Sequence, residues 1–230
     1  MSSAGERLPA VVLISGRGSN LRAIASEARA AALPLDIRAV VSDRADAAGL
    51  DWARGVGLNC VALSPRQFAD RTSYDKALAA LVASFAPDLV VLAGFMRILG
   101  PAFVDGFAGR ILNIHPSLLP KYRGLDTHRR ALEAGEREHG ASVHFVTREL
   151  DGGPVVLQAR VPIRDGDDEA SLAARVLEVE HRIYPQAIGW FAAGRLRCID
   201  GAAWLDGRRL DPPMELDRPI QAGAANELPG

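Results

Sequence analysis

The first half of the chain alternates short apolar runs with helical patterns, and this alternation narrows the possible folds more than any other feature. β-Branched, apolar runs predict strands at residues 9–14, 36–41, 59–63, 88–92 and 110–115. Helical patterns lie between them, at residues 21–31, 45–55 and 65–85, followed by a brief helix that opens at Pro101. Strands that alternate with helices pair in parallel, and helices cover both faces of the sheet. The first half is therefore predicted to be a doubly wound sheet.

The second half predicts an antiparallel hairpin followed by a helix. Residues 140–147 alternate apolar and polar side chains as a half-buried strand does, and residues 155–163 form another apolar run. The stretch Asp151-Gly152-Gly153-Pro154 between them is a strong turn pattern. Apolar residues at helical spacing predict a core-packed helix that Pro185 kinks or restarts. The predicted fold class is α/β: a doubly wound, mostly parallel sheet with an antiparallel C-terminal hairpin and flanking helices.

The length of 230 residues predicts one domain. We expect it to span residues 1–210, with a nucleotide-binding-like half at 10–110 and a catalytic half at 111–210. Pro212, Pro213, Pro219 and several small residues after position 210 predict a poorly structured tail at residues 211–230.

Composition excludes several classes of protein. A formal net charge of −1 gives no general attraction to nucleic acid or to anionic membranes. Two scattered cysteines favour a reducing compartment, and the first residues carry no secretory pattern, so we expect a cytoplasmic protein. The five histidines form no cluster with the spacing of metal ligands, so no metal is expected.

A glycine-rich loop follows the first predicted strand. Residues 15–20 read Ser-Gly-Arg-Gly-Ser-Asn and precede a helix, so backbone N–H groups and the positive end of the helix dipole converge there, as a phosphate requires. The spacing matches neither the dinucleotide fingerprint nor the Walker loop. A tight turn with Ser19 or Asn20 as the helix cap explains the same residues equally well.

The strand at residues 110–115 carries two polar side chains and then ends. Asn113 and His115 are two residues apart and share a face, and Pro116 forces the chain out of the sheet. An amide and an imidazole at a strand's end can stabilise a developing oxyanion, and the imidazole can also move a proton. Asp151 is the candidate carboxylate that would favour the charged imidazole, although aspartate before glycine is also an ordinary turn former.

Other readings of these residues stay open at this point. The simplest alternative is that His115 is a core histidine whose ring nitrogens are hydrogen-bonded within the protein. A nucleophilic mechanism is also still open, because Ser117 lies two residues from the histidine. Arg71 reads as part of a solvated helix surface. Residues 94–99 form either a buried connection or the wall of an apolar ligand pocket. Glu180 lies at the edge of the stripe that packs the core, where it is able to reach a site.

Six stretches spread over most of the chain resemble the phosphoribosylglycinamide formyltransferase family. They are Val12-Leu-Ile-Ser-Gly-Arg-Gly-Ser-Asn20, Val91-Leu-Ala-Gly-Phe-Met-Arg-Ile-Leu99, Leu112-Asn-Ile-His-Pro-Ser-Leu-Leu-Pro-Lys-Tyr122, Ser142-Val-His-Phe-Val146, Leu150-Asp-Gly-Gly-Pro154 and Ala202-Ala-Trp-Leu-Asp-Gly207. The resemblance implies transfer of a formyl group from 10-formyltetrahydrofolate, a co-substrate, to the amine of glycinamide ribonucleotide in de novo purine biosynthesis. It also implies small-molecule substrates only, no metal, and a monomer or homodimer.

The resemblance assigns roles to individual residues. The implied catalytic group is Asn113, His115 and Asp151. The implied contacts to the ribotide and its phosphate are Gly18, Ser19, Asn20 and Glu180. The implied folate-binding residues are Arg71, Met96, Arg97, Ile98, Leu99, Thr147, Arg148, Glu149, Leu150 and Asp151. Two positions depart from the family pattern: Arg123 stands where we expect proline and Asp126 where we expect histidine.

Three other functions compete with this one. A formyltetrahydrofolate hydrolase shares the Asn, His and Asp group but has no phosphorylated acceptor for the glycine loop to hold. A methionyl-tRNA formyltransferase requires a further RNA-binding domain, which a tail of about 20 residues is too short to supply. A nonenzymatic nucleotide-binding module would need the glycine loop but not Asn113, His115 and Asp151 together.

Overall fold

A computed structural model describes residues 7–216 of the chain. Its strands are β1 (Leu8–Ile14), β2 (Leu35–Ser42), β3 (Cys60–Ala62), β4 (Leu89–Leu92), β5 (Ile111–His115), β6 (Glu138–Phe145), β7 (Val155–Pro162), β8 (Leu196–Ile199), β9 (Ala202–Leu205), β10 (Arg208–Arg209) and β11 (Met214–Glu215). Its helices are α1 (Ser19–Arg29), α2 (Ala48–Gly55), α3 (Arg71–Ser84), α4 (Pro101–Gly106), α5 (Thr127–Glu133) and α6 (Glu169–Ala192). No helix among these is long and apolar enough to cross a membrane.

Eight strands form the main sheet, in the order β11-β7-β6-β5-β4-β1-β2-β3. The five strands from β3 to β5 are parallel, whereas β6 runs antiparallel to both β5 and β7. This arrangement confirms the predicted fold class. The chain builds outward from β1 through β2 to β3 and then returns to place β4 on the other side of β1. The crevice at the carboxyl ends of β1 and β4 is thus the switch point where open α/β sheets bind ligands.

The parallel strands are apolar on both faces because helices cover both. In β1, Val12 and Ile14 belong to the core shared with α1, α2 and α6, while Val11 and Leu13 belong to the core shared with α3 and α4. All four side chains are fully buried. Such two-sided burial explains why β1 reads as a continuous apolar run.

Strand β5 follows the same alternation and thereby points its polar residues away from α6. Leu112 and Ile114 join the core beneath α6, whereas Ile111 joins the core on the opposite face. Asn113 and His115 share the face of Ile111, because side chains two apart on a strand point the same way. The polar groups of β5 therefore lie on the side of the sheet that α6 does not cover.

Several elements differ from the sequence predictions. The helix predicted at residues 65–85 is a short 3₁₀ turn, Pro65–Gln67, followed by α3, because the Asp70 side chain caps Ser73 N at 2.7 Å and starts a new helix. Helix α6 runs on through Pro185 rather than restarting there. Strand β6 was predicted to be half-buried, which is wrong: every residue from His139 to Phe145 is buried.

The C-terminal part adds a small sheet and one more edge strand. Strands β8, β9 and β10 form a separate antiparallel sheet. Met214–Glu215 pairs in parallel with β7 at Leu157 and Gln158, so the first part of the predicted unstructured tail is a strand. Residues 217–230 of that predicted tail lie outside the described residues.

Candidate active site

The glycine loop after β1 is held by close contact with the start of α2. Gly18 has φ 71° and immediately precedes α1, and a Cβ there would lie 2.9 Å from Gly49 Cα. Gly49 N donates to Gly16 O at 3.0 Å. Neither Ser19 nor Asn20 caps α1, since residue 18 occupies the cap position and makes no side-chain bond to the helix. The first-turn N–H groups are thus presented without a side-chain cap, as a bound anion requires.

Asn20 faces a buried carboxylate instead of capping its helix. Its Nδ2 donates to Glu180 Oε2 at 2.7 Å, and Asn20 and Glu180 are 6% and 7% exposed. Burial raises the pKa of Glu180 to about 6, against the opposing effect of the Asn20 hydrogen bond. Asn20 Oδ1 is buried and has no hydrogen-bond partner within residues 7–216. The pair offers polar atoms at the carboxyl end of β1 that a hydroxyl-rich ligand would satisfy.

The pairing of β5 with β6 brings a second histidine to the strand end. Asn113 stands directly opposite His144, and His115 stands opposite Ser142. Opposed residues on neighbouring strands have side chains on one face and in contact. Asn113 Nδ2 lies 3.0 Å from His144 Nε2, and His144 Nδ1 lies 2.9 Å from Phe145 O. Burial lowers the pKa of His144 to about 4, so its imidazole is neutral at physiological pH.

Asp151 enters the same space from the turn between β6 and β7. Its Oδ2 lies 3.5 Å from His115 Nδ1, and its Oδ1 lies 3.6 Å from His144 Nε2. The carboxylate also accepts a hydrogen bond from Gly124 N at 2.9 Å. We call Asn113, His115, His144 and Asp151 the polar cluster. His115 Nε2 lies 2.9 Å from Tyr122 O, which only accepts, so that nitrogen carries a hydrogen.

Residues 116–124 cover the polar cluster and are anchored through side chains of β6 and β7. Ser142 Oγ donates to Ser117 O at 2.6 Å and accepts from Leu119 N at 3.0 Å. Gln158 Nε2 donates to Leu119 O at 2.9 Å and to Ser142 Oγ at 2.8 Å. These bonds explain why the polar face of β6 is buried: the covering segment supplies the hydrogen-bond partners that burial requires.

Helix α6 connects the Glu180 end of the site with the polar cluster. Tyr184, one turn after Glu180, is fully buried, and its hydroxyl lies 3.0 Å from Leu92 O and 2.8 Å from Leu112 O. Leu92 is the last residue of β4, and Leu112 precedes Asn113. One side chain therefore contacts the last residue of β4 and the residue of β5 that precedes Asn113.

Three of the predicted folate-binding residues, Met96, Ile98 and Leu150, expose apolar side chains, and so does Leu125, which was not predicted. Met96 is 69% exposed and Ile98 56%, while Leu125 and Leu150 are 76% and 49% exposed. We call these four residues the apolar rim. Large apolar side chains left in solvent around a polar centre are typical of a binding site for a partly apolar ligand.

The loop at residues 94–99 is fixed from three sides. Met96 N donates to Ser15 Oγ at 2.9 Å, which ties the loop to the end of β1. Arg97 Nη1 lies 3.7 Å from Asp43 Oδ2 at the end of β2, and Arg71 Nη2 donates to Ile98 O at 2.9 Å. Arg97 remains partly exposed, and its ion pair with Asp43 holds the loop between the two rim residues that flank it.

Not every predicted site residue points into the site. Arg148 forms an ion pair with Asp105 of α4, and Glu149 forms one with Arg123, so both side chains are engaged on the surface. Thr147 Oγ1 lies 3.4 Å from Glu149 O and closes the turn locally. Within residues 7–216, no group of three His, Cys, Asp or Glu side chains is arranged to hold a metal ion.

Comparisons with known proteins match nearly the whole domain. A formyl transferase family model matches residues 9–188. The phosphoribosylglycinamide formyltransferase of Escherichia coli is 58% identical over 88% of this chain and 95% of its own. This chain belongs to the phosphoribosylglycinamide formyltransferase family. Family members use a folate-derived formyl donor.

Solved structures agree with this assignment. The phosphoribosylglycinamide formyltransferase from Coxiella burnetii is 49% identical, with a TM-score of 0.87 over 91% of this chain and 99% of its own. A formyltetrahydrofolate deformylase from Pseudomonas syringae pv. tomato is 24% identical, with a TM-score of 0.81 over 87% of this chain and 66% of its own. At that identity, the likeness to the deformylase concerns the fold alone.

The two positions that depart from the pattern expected of phosphoribosylglycinamide formyltransferases both lie next to the site. Arg123 pairs with Glu149, and its carbonyl accepts a hydrogen bond from Arg130 at 2.7 Å. Asp126 has φ 58° at the start of α5 and pairs with Arg129. Both residues thus make local ion pairs at the edge of the segment that covers the polar cluster.

His144 was not predicted as a member of the site. The alternating pattern of β6 placed it on the polar side of a half-buried strand, although the motif Ser142-Val-His-Phe-Val146 carried part of the family resemblance. One signal was available: His144 is a polar residue that stands opposite a candidate site residue, Asn113, in an antiparallel strand pair. This signal requires the register between β5 and β6, which no single stretch of sequence contains.

Proposed function

We propose that this chain transfers the formyl group of 10-formyltetrahydrofolate to the amine of glycinamide ribonucleotide, a step of de novo purine biosynthesis. One observation carries the proposal: the glycine loop and the polar cluster lie at the same edge of the sheet, on either side of the switch point. A phosphorylated amine whose phosphate is bound at the glycine loop would direct its amine nitrogen toward the polar cluster. We also keep a cytoplasmic location, and a monomer or homodimer that binds only small molecules, as predictions.

The ribotide would bind along the carboxyl end of β1. The N–H groups of Gly18, Ser19 and Asn20 lie where the start of α1 favours a phosphate. Glu180 and the unpaired oxygen of Asn20 are placed to meet the polar groups of the same molecule. These contacts orient the amine, and orientation alone supplies a large part of the rate of a reaction between two substrates.

The polar cluster would act on the formyl group. The amine nitrogen attacks the formyl carbon, the bond from that carbon to the folate nitrogen breaks, and the proton lost by the amine ends on the folate nitrogen. Asn113 donates a hydrogen bond to the oxygen that becomes negative in the tetrahedral intermediate. His115 keeps its Nε2 hydrogen on Tyr122 O and faces Asp151 with Nδ1, so its charged form stabilises that oxygen by charge while Asp151 balances the imidazolium.

The folate would lie against the apolar rim. Met96, Ile98 and Leu150 offer apolar surface to its rings, and the backbone of residues 94–99 and 147–151 offers hydrogen-bonding groups. Arg71, Arg97 and Leu99 shape this wall, since Arg71 and Arg97 anchor the loop that carries it. Arg148 and Glu149 would contribute through their backbone, because their side chains are engaged in surface ion pairs.

The test is an assay with both substrates, in which the absorbance of the folate reports turnover. We expect turnover only when glycinamide ribonucleotide is present. Replacing it with glycinamide riboside, which lacks the phosphate, should raise KM strongly because the glycine loop then has no anion to hold. Folate turnover at the same rate without any ribotide would refute the proposal in favour of a formyltetrahydrofolate hydrolase.

A further inference from the structure

We propose that His144 is a positioning residue that fixes the orientation of the Asn113 amide, so that its nitrogen rather than its oxygen faces the reacting formyl group. The inference rests on the proposed function, in which Asn113 donates to the formyl oxygen. It adds a member to the site that touches neither substrate in that mechanism.

The hydrogen-bond partners of His144 define its tautomer. Nδ1 lies 2.9 Å from the Phe145 carbonyl oxygen, which only accepts, so the hydrogen of the ring is on Nδ1. His144 is 2% exposed, and burial lowers its pKa to about 4, so the ring carries only that one hydrogen at neutral pH. Nε2 therefore carries no hydrogen, and its lone pair accepts a hydrogen bond.

A lone pair at Nε2 leaves only one favourable orientation for the amide opposite it. The Asn113 side chain lies 3.0 Å from Nε2 through its nitrogen, which donates. The flipped amide would place its oxygen against the lone pair of His144 Nε2, so that two acceptors would face each other with no hydrogen between them. With the nitrogen fixed, one N–H is held by His144 and the second is available to the formyl oxygen.

The surroundings of His144 hold the ring itself in place. It lies on β6 directly opposite Asn113, in a strand buried on both faces. The charged or titratable groups that act on it are Asp151, His115 and Arg123. A buried, hydrogen-bonded histidine is also what an ordinary core position looks like, so the test must separate positioning from packing.

A double-mutant cycle on kcat makes that separation. Asn113→Ala should lower kcat on the order of 10²- to 10³-fold, the usual cost of one oxyanion donor. His144→Leu should lower kcat about tenfold in the wild-type background, the scale of one neutral hydrogen bond, with KM for both substrates nearly unchanged. In the Asn113→Ala background, His144→Leu should have no further effect on kcat, because there is no amide left to orient.

His144→Gln is the matched conservative variant, since its side-chain oxygen can accept the Asn113 hydrogen bond. It should retain more kcat than His144→Leu, whereas His144→Phe, which keeps a planar ring but has no acceptor, replaces the leucine variant in the cycle if that one fails to fold. Equal losses in both backgrounds would show that His144 only packs the core, which overturns the inference and leaves the proposed function intact. An Asn113→Ala variant with undiminished kcat would remove the proposed role of Asn113 and the inference with it.

Discussion

The polar cluster and the apolar rim lie at the same end of the sheet, yet their side chains are held in opposite ways. In the cluster, His115 and Asp151 are almost fully buried, and each contacts groups from separate segments. In the rim, Met96 and Leu125 are exposed over more than two thirds of their area. Buried groups that are hydrogen-bonded to one another have a fixed orientation before any ligand binds. Exposed apolar groups gain their contacts only when a ligand binds. We infer that the cluster determines the rate of the reaction and the rim determines affinity for the folate.

Asp151→Asn should disrupt the polar cluster and slow the reaction strongly. The amide carries no charge to balance a protonated His115, and one orientation of it would bring an N–H group to His144 Nε2 in competition with Asn113. We expect kcat to fall on the order of 10²-fold with a smaller change in KM, measured with each substrate varied in turn. Asp165→Asn, which changes an exposed aspartate in a turn outside the site, is the control and should behave as wild type. An effect confined to KM would count against the proposed role of Asp151.

The free energy of unfolding should fall as pH drops from about 6.5 toward 4. Burial lowers the pKa of His139 and of His144 from 6.5 to about 4, so in this window the unfolded chain binds more protons than the folded one, and stability is lost as pH falls. Each histidine contributes a loss of about 1 kcal/mol per pH unit. Glu180, whose pKa burial raises to about 6, partly offsets this below pH 6, because its folded form binds the extra proton.

Denaturant unfolding at several pH values measures this slope. The His144→Gln variant should show a shallower dependence on pH than wild type, since one of the two imidazoles whose pKa burial lowers to about 4 is gone. An unchanged slope would mean that His144 does not titrate differently in the folded and unfolded states.

Shortening a side chain of the apolar rim should have the smallest effect on activity, and it should change KM rather than kcat. Ile98→Ala removes apolar surface that folate would cover, so we expect KM for the folate to rise about tenfold or less, with kcat and thermal stability unchanged. Ile199→Ala, which shortens an exposed isoleucine of β8 in the small sheet, is the matched control and should leave KM unaltered. A fall in kcat with no change in KM would assign Ile98 to the chemistry and would break the contrast between cluster and rim.

The fold was predictable because each strand of the parallel part of the sheet has a recognisable local sequence pattern. Strands buried on both faces, such as β1 and β4, read as short apolar runs, and the helices between them require parallel pairing. The break between Pro65–Gln67 and α3 was not predicted, although Asp70 is an ordinary helix cap. The sequence left open whether α6 kinks or restarts at Pro185, and the helix in fact continues through it. The sequence around a proline does not reveal how the neighbouring turns of the helix pack.

The site was only partly predictable, for a different reason. Asn113 and His115 follow from strand periodicity, and the structure brings Asp151 to them as expected. The burial of His144 depends on residues 116–124, which cover the polar face of β6 through hydrogen bonds to Ser142 and Gln158. The ion pair of Arg97 depends on Asp43, which follows the end of another strand. Contacts between residues so distant in sequence leave no local pattern.

The short strand Met214–Glu215 pairs with the outer edge of the main sheet at β7. Without it, β7 would be the outermost strand, eight residues long, with unpaired backbone groups that invite pairing with another copy of the chain. Leu216 N donates to Gln158 O at 2.8 Å, and Glu215 pairs with Arg160, so this segment occupies that edge. Gln158 is the residue whose side chain anchors the cover of the polar cluster. The segment that covers this edge of the sheet is therefore bonded to the same residue that anchors the cover of the polar cluster.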